Sequence, residues 1–332
     1  MRIGIIGRAD NTGLGVETWE FCRHFPETKV LIVNFDSLGD RYRIYPERFR
    51  NPTIIKEYPQ NEAIEAFLED IDLLITIETP YNKNAYKIAS KIGVRSILRV
   101  NYEWLCDYYD PDFYITPSLY HYDDIPAPKK HLPFPINRKV LPFKLRKKAK
   151  RFIHIAGNMK AAYDRNGTEL LLQAIPYIKS QDIEIIIKSQ VPIDSIANRY
   201  AQVRVDVCDY ENYWEIWEDA DVYISPRRYA AQSLPLNEAM SRGMAIIMTD
   251  MNPQNEFLPK ELLIKPRDIK SLQIVKQIEI ADINPQDIAA KINQIAGKDI
   301  TKFSLMSNHI AQAWSWEVLK PKYQNLFKTI CS

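Results

Sequence analysis

Glycine is scarce in this 332-residue chain, at 10 residues, so any place where glycines cluster is informative. Cysteine is scarcer. Cys22, Cys106, Cys208 and Cys331 are far apart and form no C-x-x-C, which argues for reduced thiols and against a cysteine-built zinc site. No apolar run approaches the ~18 residues of a membrane-spanning helix. The opening run Ile3–Gly7 meets Arg8 and Asp10 at once, unlike a signal peptide, so the chain reads as cytoplasmic. Charge of one sign is missing too: 44 Lys and Arg against 42 Asp and Glu leave +2, which excludes whole-protein attraction to nucleic acid or anionic membranes.

Several motifs are absent as well. Gly4, Gly7, Gly13 and Gly15 lack the G-x-G-x-x-G spacing of a dinucleotide site, so a nicotinamide oxidoreductase is a distant reading. There is no G-x-x-x-x-G-K-[ST], which excludes a P-loop NTPase. Five histidines form no H-E-x-x-H or close pair, and no Asp-x-Asp falls in a loop suited to a metal, so no metal is expected. Asn166-Gly-Thr168 matches a glycosylation acceptor by chance.

What is there is an alternation. The hydrophobic fraction of 46% and charged fraction of 26% are those of a globular chain, and the length predicts about two domains. Short β-branched runs (Ile3–Ile6, Lys29–Val33, Thr53–Ile55, Asp72–Ile77, Arg95–Val100) alternate with helical-period segments at Val16–Phe25, Glu62–Glu69 and Asn84–Ile92. A proline-rich, basic stretch over 126–150 interrupts them and reads as a solvated linker. A second series follows, with strands predicted at Arg151–Ile155, Glu184–Lys188, Gln202–Val207, Asp221–Ile224 and Ala245–Met248. Its helices are predicted at Gly167–Ile178, Glu211–Trp217 and Leu236–Arg242, before a helical tail. The pattern predicts two doubly wound α/β halves with a ligand cleft between them.

Two segments have the chemistry to hold an anion. Asn11-Thr-Gly-Leu-Gly15 joins the first strand to the first helix, where glycines permit close approach and a helix N-terminus offers N–H groups. Taken alone, it reads equally as a turn. In the second half a strand ends at Ser225, a polar loop follows, and Pro235 suits the first turn of a helix. Gln232, Ser233 and Leu234 are placed to donate N–H groups to a diphosphate, and Glu238, one turn in, to accept from ribose hydroxyls.

Together these residues resemble the family-4 group of retaining GT-B glycosyltransferases. Leu234 to Ile247 is similar to that family's L-P-x-x-E-A-M-A-x-G-x-P-V-I signature, with Ala245 for the usual Pro. Gly13-Leu-Gly15 resembles its N-terminal glycine loop. His154-Ile-Ala-Gly-Asn158 and Asp164-Arg-Asn-Gly-Thr168 resemble the H-x-A-G…K-G-T segment, with Asn166 in place of the Lys. Ile185-Ile-Ile-Lys188 resembles the strand whose Lys meets the diphosphate, and Ser315-Trp-Glu317 the family's F-S-W-E. The family's first signature glutamate, which contacts the transferred sugar, is Ala230 here. Arg228 to Pro259 resembles versions found in bacteriophage and some bacterial genomes.

The resemblance implies a GT-B fold of two Rossmann-like domains: 1–137 for the acceptor, a linker at 138–150, 151–302 for the donor, and a helix over 303–332 returning toward the first domain. It implies transfer of a hexosyl or pentosyl group, with retention and without metal, from a nucleoside-diphosphate sugar (a UDP-sugar in particular). Lys188 and Arg165 would meet the diphosphate, and Gly13, Gly15, Asn158, Gln232, Ser233, Leu234 and Glu238 would hold the donor. Glu78 and Glu103, each after a strand of the first half, would hold the acceptor, with Glu103 also serving the transfer. Tyr102, Trp104, Trp314, Trp316 and Phe327 read as packing residues. The acceptor would be a glycan or lipid, or a modified DNA base or virion protein in a phage setting. Ala230 also admits a binding protein of this fold that has lost turnover.

Overall fold

A computed structural model describes residues 1–34, 43–157, 162–193, 200–229 and 233–332. The chain divides into two compact units. One comprises Met1–Pro135, Ile274–Lys276 and Trp316–Ser332; the other comprises Ile136–Gln273 and Gln277–Ser315.

In the first unit β1 (Ile3–Gly7), α1 (Gly13–His24), β2 (Lys29–Val33), β3 (Thr53–Ile55), α2 (Asn61–Leu68), β4 (Leu73–Ile77), α3 (Ala85–Lys91), β5 (Arg95–Arg99), β6 (Phe113–Thr116) and β7 (Lys129–His131) succeed one another. The seven strands are parallel, in the order β3-β2-β1-β4-β5-β6-β7. All five residues of β1 and of β4 are buried, the mark of strands covered on both faces. The chain leaves β1 toward β2 and later crosses to β4 on the other side. The ends of β1 and β4 therefore form a switch point, where an α/β sheet opens a crevice.

The second unit repeats this plan. It runs β8 (Arg151–Gly157), α4 (Thr168–Ala174), β9 (Glu184–Ser189), β10 (Val203–Val207), β11 (Val222–Ser225), α5 (Leu234–Ser241), β12 (Ala245–Thr249) and β13 (Leu263–Ile264). A hairpin, β14 (Asp268–Gln273) and β15 (Gln277–Asp282), and helices α6 (Pro285–Ile295) and α7 (Thr301–Ala313) follow. The six-stranded parallel sheet has the order β10-β9-β8-β11-β12-β13, with its switch point at β8 and β11. Alternation along each strand feeds two cores. Phe152, Ile185, Ile187, Val222 and Ile224 cluster with Leu171 of α4 and with Ile288 and Ile292 of α6. Ile153, Ile155, Ile186, Tyr223 and Ile246 cluster with Leu236 and Met240 of α5 and with Ala311 of α7.

Several expectations shift. Pro176 ends α4 early, leaving a 3-10 turn at Ile175–Tyr177, and the helix expected at Glu211–Trp217 is one 3-10 turn, Tyr213–Ile216. Strands β6 and β7 and the β14–β15 hairpin were not foreseen. The basic linker is partly structural: Arg146 is buried, its guanidinium on Asp219, and Ala149 is in the core. The tail divides as well, with α7 in the second unit and α8 (Trp316–Cys331) in the first. There α8 buries Trp316, Leu319, Tyr323, Leu326 and Phe327, one stripe at helical spacing, and Phe21 and Phe25 pack on it.

Candidate functional site

In the second unit the switch point is held together from inside. The buried His154 imidazole bridges the end of β11 and the start of α4. Its Nδ1 donates to the Ile224 carbonyl at 2.8 Å, and Nε2 accepts from the Thr168 hydroxyl at 2.8 Å. A carbonyl only accepts, which fixes the tautomer. Burial pushes the imidazole down to about 4, so it is neutral at physiological pH. Gly167 has φ +70, and a Cβ there would lie 2.0 Å from the Pro226 carbonyl oxygen. Only glycine permits the loop after β8 to sit this close to the loop after β11.

The two loops are tied further. Arg228 donates through its backbone N–H to the Arg165 carbonyl at 2.9 Å and through Nη1 to the Tyr163 carbonyl at 2.7 Å. The Arg165 guanidinium lies over the Tyr229 ring, 5.6 Å from its centroid. Arg227, buried, donates to the Tyr229 carbonyl at 3.1 Å. Tyr163 and Asp164 are both left-handed, at φ 58° and 50°, a strained pair at the mouth of the crevice. Arg165, Arg227 and Arg228 are thus gathered on the two facing loops. The latter two are visible in the sequence as the pair after Pro226, but were not singled out.

Behind the second loop Ser233 caps α5, its hydroxyl accepting from the Leu236 N–H at 3.4 Å, with Leu234 and Pro235 opening the first turn. One turn in, Glu238 is buried and held by neutral donors. Tyr213 OH reaches its two oxygens at 3.1 and 2.9 Å, and Trp217 Nε1 donates to Oε2 at 2.8 Å. Neither ring was expected. Their signal is the aromatic spacing Tyr213-Trp-Glu-Ile-Trp217. Asn158, Gln232 and Ala230 lie outside the described residues.

Lys188 lies in an ion cluster. Its side chain is buried, on the same face of β9 as Ile186. Its three N–H bonds go to Asp206, to Tyr210 OH at 2.8 Å and to Glu218 Oε1 at 2.5 Å. Arg204, Arg151 and Glu184 extend the cluster along the sheet face. Burial alone would lower the ammonium, but the carboxylates outweigh it and raise the Lys188 pKa. Glu218, which burial would raise, is pulled down to about 2 by Arg204 and Lys188. All three donors of this ammonium are engaged by two carboxylates and a phenol, and a diphosphate would compete with them for it.

The first unit builds its switch point differently. A Cβ on Gly15 would lie 2.1 Å from the Asp10 carbonyl oxygen, so this glycine serves the approach of the helix to its own loop. The Asp10 carboxylate holds that loop, accepting from Arg8 Nε at 2.6 Å and from the Thr12 N–H at 2.9 Å. Gly13, exposed, opens α1. Glu78 follows β4 in the left-handed region, φ 63°, and its Oε2 accepts from Asn101 at 2.7 Å. A carboxylate held in strained backbone at a strand end is a feature of binding sites. Glu103, expected to serve the acceptor, is 0% exposed, inside the 3-10 turn Tyr102–Trp104, with its carbonyl accepting from the Val275 and Lys276 N–H groups. Trp104, expected to pack, is 41% exposed.

Three Asp-x-Asp pairs do occur, and each is engaged by basic side chains: Asp70 and Asp72 by Arg2, Asp112 by Arg95, and Asp219 by Lys144 and Arg146. Among the described residues no group of three His, Cys, Asp or Glu side chains is placed to hold a metal ion, and no helix is long and apolar enough to cross a membrane. A cavity of about 860 Å³ lined by Met1, Arg2, Asp72, Arg95 and Cys331 lies at the other, N-terminal ends of the first unit's strands, away from that unit's switch point.

Two parallel sheets of this order, each with a dressed switch point, define the GT-B fold. Residues 150–296, the core of the second unit, match the family model described as glycosyl transferases group 1, which agrees with the glycosyltransferase resemblance read from the sequence. A glycosyltransferase of Rickettsia africae is similar over 99% of this chain and 98% of its own, with TM-score 0.69 and 12% identity. HepE of Anabaena, solved with UDP and glucose, is similar over 99% and 100%, with TM-score 0.68 and 10% identity. Sucrose-phosphate synthase of Thermosynechococcus elongatus is similar over 99% of each chain, with TM-score 0.65 and 14% identity. No curated protein sequence matches the chain.

Proposed function

We propose that this chain is a retaining glycosyltransferase that moves a hexosyl or pentosyl group from a nucleoside-diphosphate sugar to an acceptor hydroxyl in the cytoplasm, without a metal ion. The observation that carries the reading is the second unit's switch point, inside the family-matched segment. Gly167 against Pro226 brings the loop that carries Arg165 onto the loop after β11, and that loop leads into the Ser233-capped start of α5, with Glu238 one turn in. Transfer loads negative charge on the leaving diphosphate. A guanidinium and helix-terminal N–H groups meet that charge without reorganising, and favour the transition state over the ground state. Tyr213 and Trp217 orient Glu238 toward the ribose hydroxyls. UDP bound to HepE, a protein of the same fold, supports UDP as the first nucleotide to try.

The test is hydrolysis and transfer with a panel of UDP-, GDP-, ADP- and TDP-sugars, with and without EDTA, and NMR of the anomer formed. Turnover that persists in EDTA with the donor's anomeric configuration is expected. Turnover only with magnesium or manganese, or an inverted product, overturns those parts. Ala230 in place of the sugar-contacting glutamate favours a second reading, a nucleotide-sugar-binding protein. Donor binding with neither hydrolysis nor transfer would establish it.

A further inference from the structure

A sheet edge is a row of unpaired N–H and C=O groups, and folded proteins blunt it with short strands, lysines, prolines or bulges. Three of the four edges of the two parallel sheets follow that rule. β13 has two residues, β3 has three after Pro52, and β7 has three, two of them Lys129 and Lys130. β10 does not. It is five residues long, Val203-Arg-Val-Asp-Val207, in unbroken register with β9 and without proline, lysine or bulge. Among the described residues no strand pairs with its outer side.

The backbone of β10 divides by parity. The Gln202 carbonyl accepts from the Ile185 N–H at 2.8 Å and the Cys208 N–H donates to the Ser189 carbonyl at 2.9 Å, so the even residues turn toward β9. Val203, Val205 and Val207 therefore turn their groups outward, apart from the Val203 N–H, which closes a turn onto the Tyr200 carbonyl at 2.9 Å. Side chains alternate as well. Val203 and Val205 pack on the core, Arg204 and Asp206 lie on the opposite face, and Val207 is 46% exposed. Read backwards, Val-Arg-Val-Asp-Val is the same strand with its two charges exchanged. Turned about a two-fold axis through Val205, it complements itself.

We propose that β10 pairs antiparallel with β10 of a second copy of this chain, joining the two six-stranded sheets into one. Val205 faces Val205 of the second copy and exchanges both hydrogen bonds with it, while each Val207 N–H donates to the opposite Val203 carbonyl. Arg204 stands opposite Asp206 of the second copy, in the closer, non-hydrogen-bonded kind of pair. Within its own chain Asp206 meets Lys188, Tyr210 and Arg204 through Oδ2 alone, which leaves Oδ1 for that second guanidinium. Each copy also brings a balanced cluster to the seam. Lys188, Arg151 and Arg204 offset Asp206, Glu184 and Glu218, so no net charge repels the second copy. A strand from an unrelated partner would not require this symmetry, and a second copy does.

The experiment sediments the full chain at rising concentration under reducing conditions and, separately, oxidises Gln202→Cys with diamide. Positions 202 and 208 of one strand lie roughly 20 Å apart, too far for a disulfide. Across the axis they stand opposite one another, at a separation that a disulfide accepts. A reversible dimer is expected, and Gln202→Cys should form a covalent dimer whose peptides link position 202 of one copy to Cys208 of the other. Val207→Pro removes two N–H donors from the seam and none from the β9 ladder, so it should melt like the parent and weaken the dimer about tenfold or more. Val207→Lys, which blunts the edge without a backbone demand, should weaken it too and decides the matter if the proline variant does not fold. A chain that stays monomeric at every concentration, a dimer indifferent to the Val207 variants, or a disulfide that joins like positions overturns the proposal.

Discussion

The two sheets share one strand order through six strands, yet they furnish their switch points with opposite chemistry. The second unit gathers Arg165, Arg227 and Arg228 on its two facing loops, the second of which leads into a capped helix; the first places Asp10, held by Arg8, and a left-handed Glu78 at its strand ends. Topology supplies a crevice in both places, and side chains decide what enters it. Cations and N–H groups suit a diphosphate, whereas carboxylates suit hydroxyls.

The sharpest break of this comparison uses the two glycines that set the loops. Gly167→Ala forces a side chain into left-handed backbone and against the Pro226 carbonyl, a cost of about 3 kcal/mol or more. Gly15→Ala meets the Asp10 carbonyl in the same way. Urea unfolding should show both losses, but UDP titration of the folded fraction should show weakening only in Gly167→Ala. Equal weakening in the two would mean that the donor crevice is not where the arginines are.

His154 gives a pH signature to the second unit alone. Its folded pKa of about 4 lies below the ordinary value of 6.5, so the unfolded chain binds the extra proton between them. Stability should therefore fall as pH drops from 6.5 toward 4, by about 3 kcal/mol at most, and His154→Gln should flatten that slope in melts. The depressed Glu218 acts in a lower window, below its ordinary 4.5 toward 2. A parent flat between pH 6.5 and 4 would show that the imidazole bridge does not hold the switch point.

Smaller effects sharpen the roles within the donor side. Lys188→Met should cost about 2 kcal/mol of stability, reduced because Asp206 and Glu218 are partly exposed and rehydrate. Its kcat at saturating donor should stay near the parent's; a large fall would restore Lys188 to the diphosphate. Glu238→Ala should weaken donor binding by about 2 kcal/mol and Tyr213→Phe by about 1 kcal/mol, with kcat little changed in either. Calorimetry with UDP checks both, and indifference to Tyr213→Phe would remove the tyrosine from the site.

The fold was legible because a parallel sheet writes itself into sequence as short buried runs. Ile3–Ile6, Lys29–Val33 and Ala245–Met248 could be placed almost to the residue. Strands β6 and β7 escaped because Phe113–Thr116 and Lys129–His131 are too short for any period to show. Near the candidate site, the start of α5 at Ser233 and Leu234 could be read because helix capping is local. The surroundings of Lys188 and Glu103 could not be read because they are made by Asp206, Glu218 and Val275, partners that sequence proximity does not announce.

Helix α8 carries a consequence for how the molecule is made. The first unit draws part of its core, Trp316, Tyr323 and Phe327, from a segment translated after the whole second unit. On the ribosome the earlier sheet must wait, with Phe21, Phe25 and Phe134 lacking their cover, while the later one is synthesised and can close. The first half to be translated is the last to be completed, and a chaperone that shields aromatic surface would have its work there.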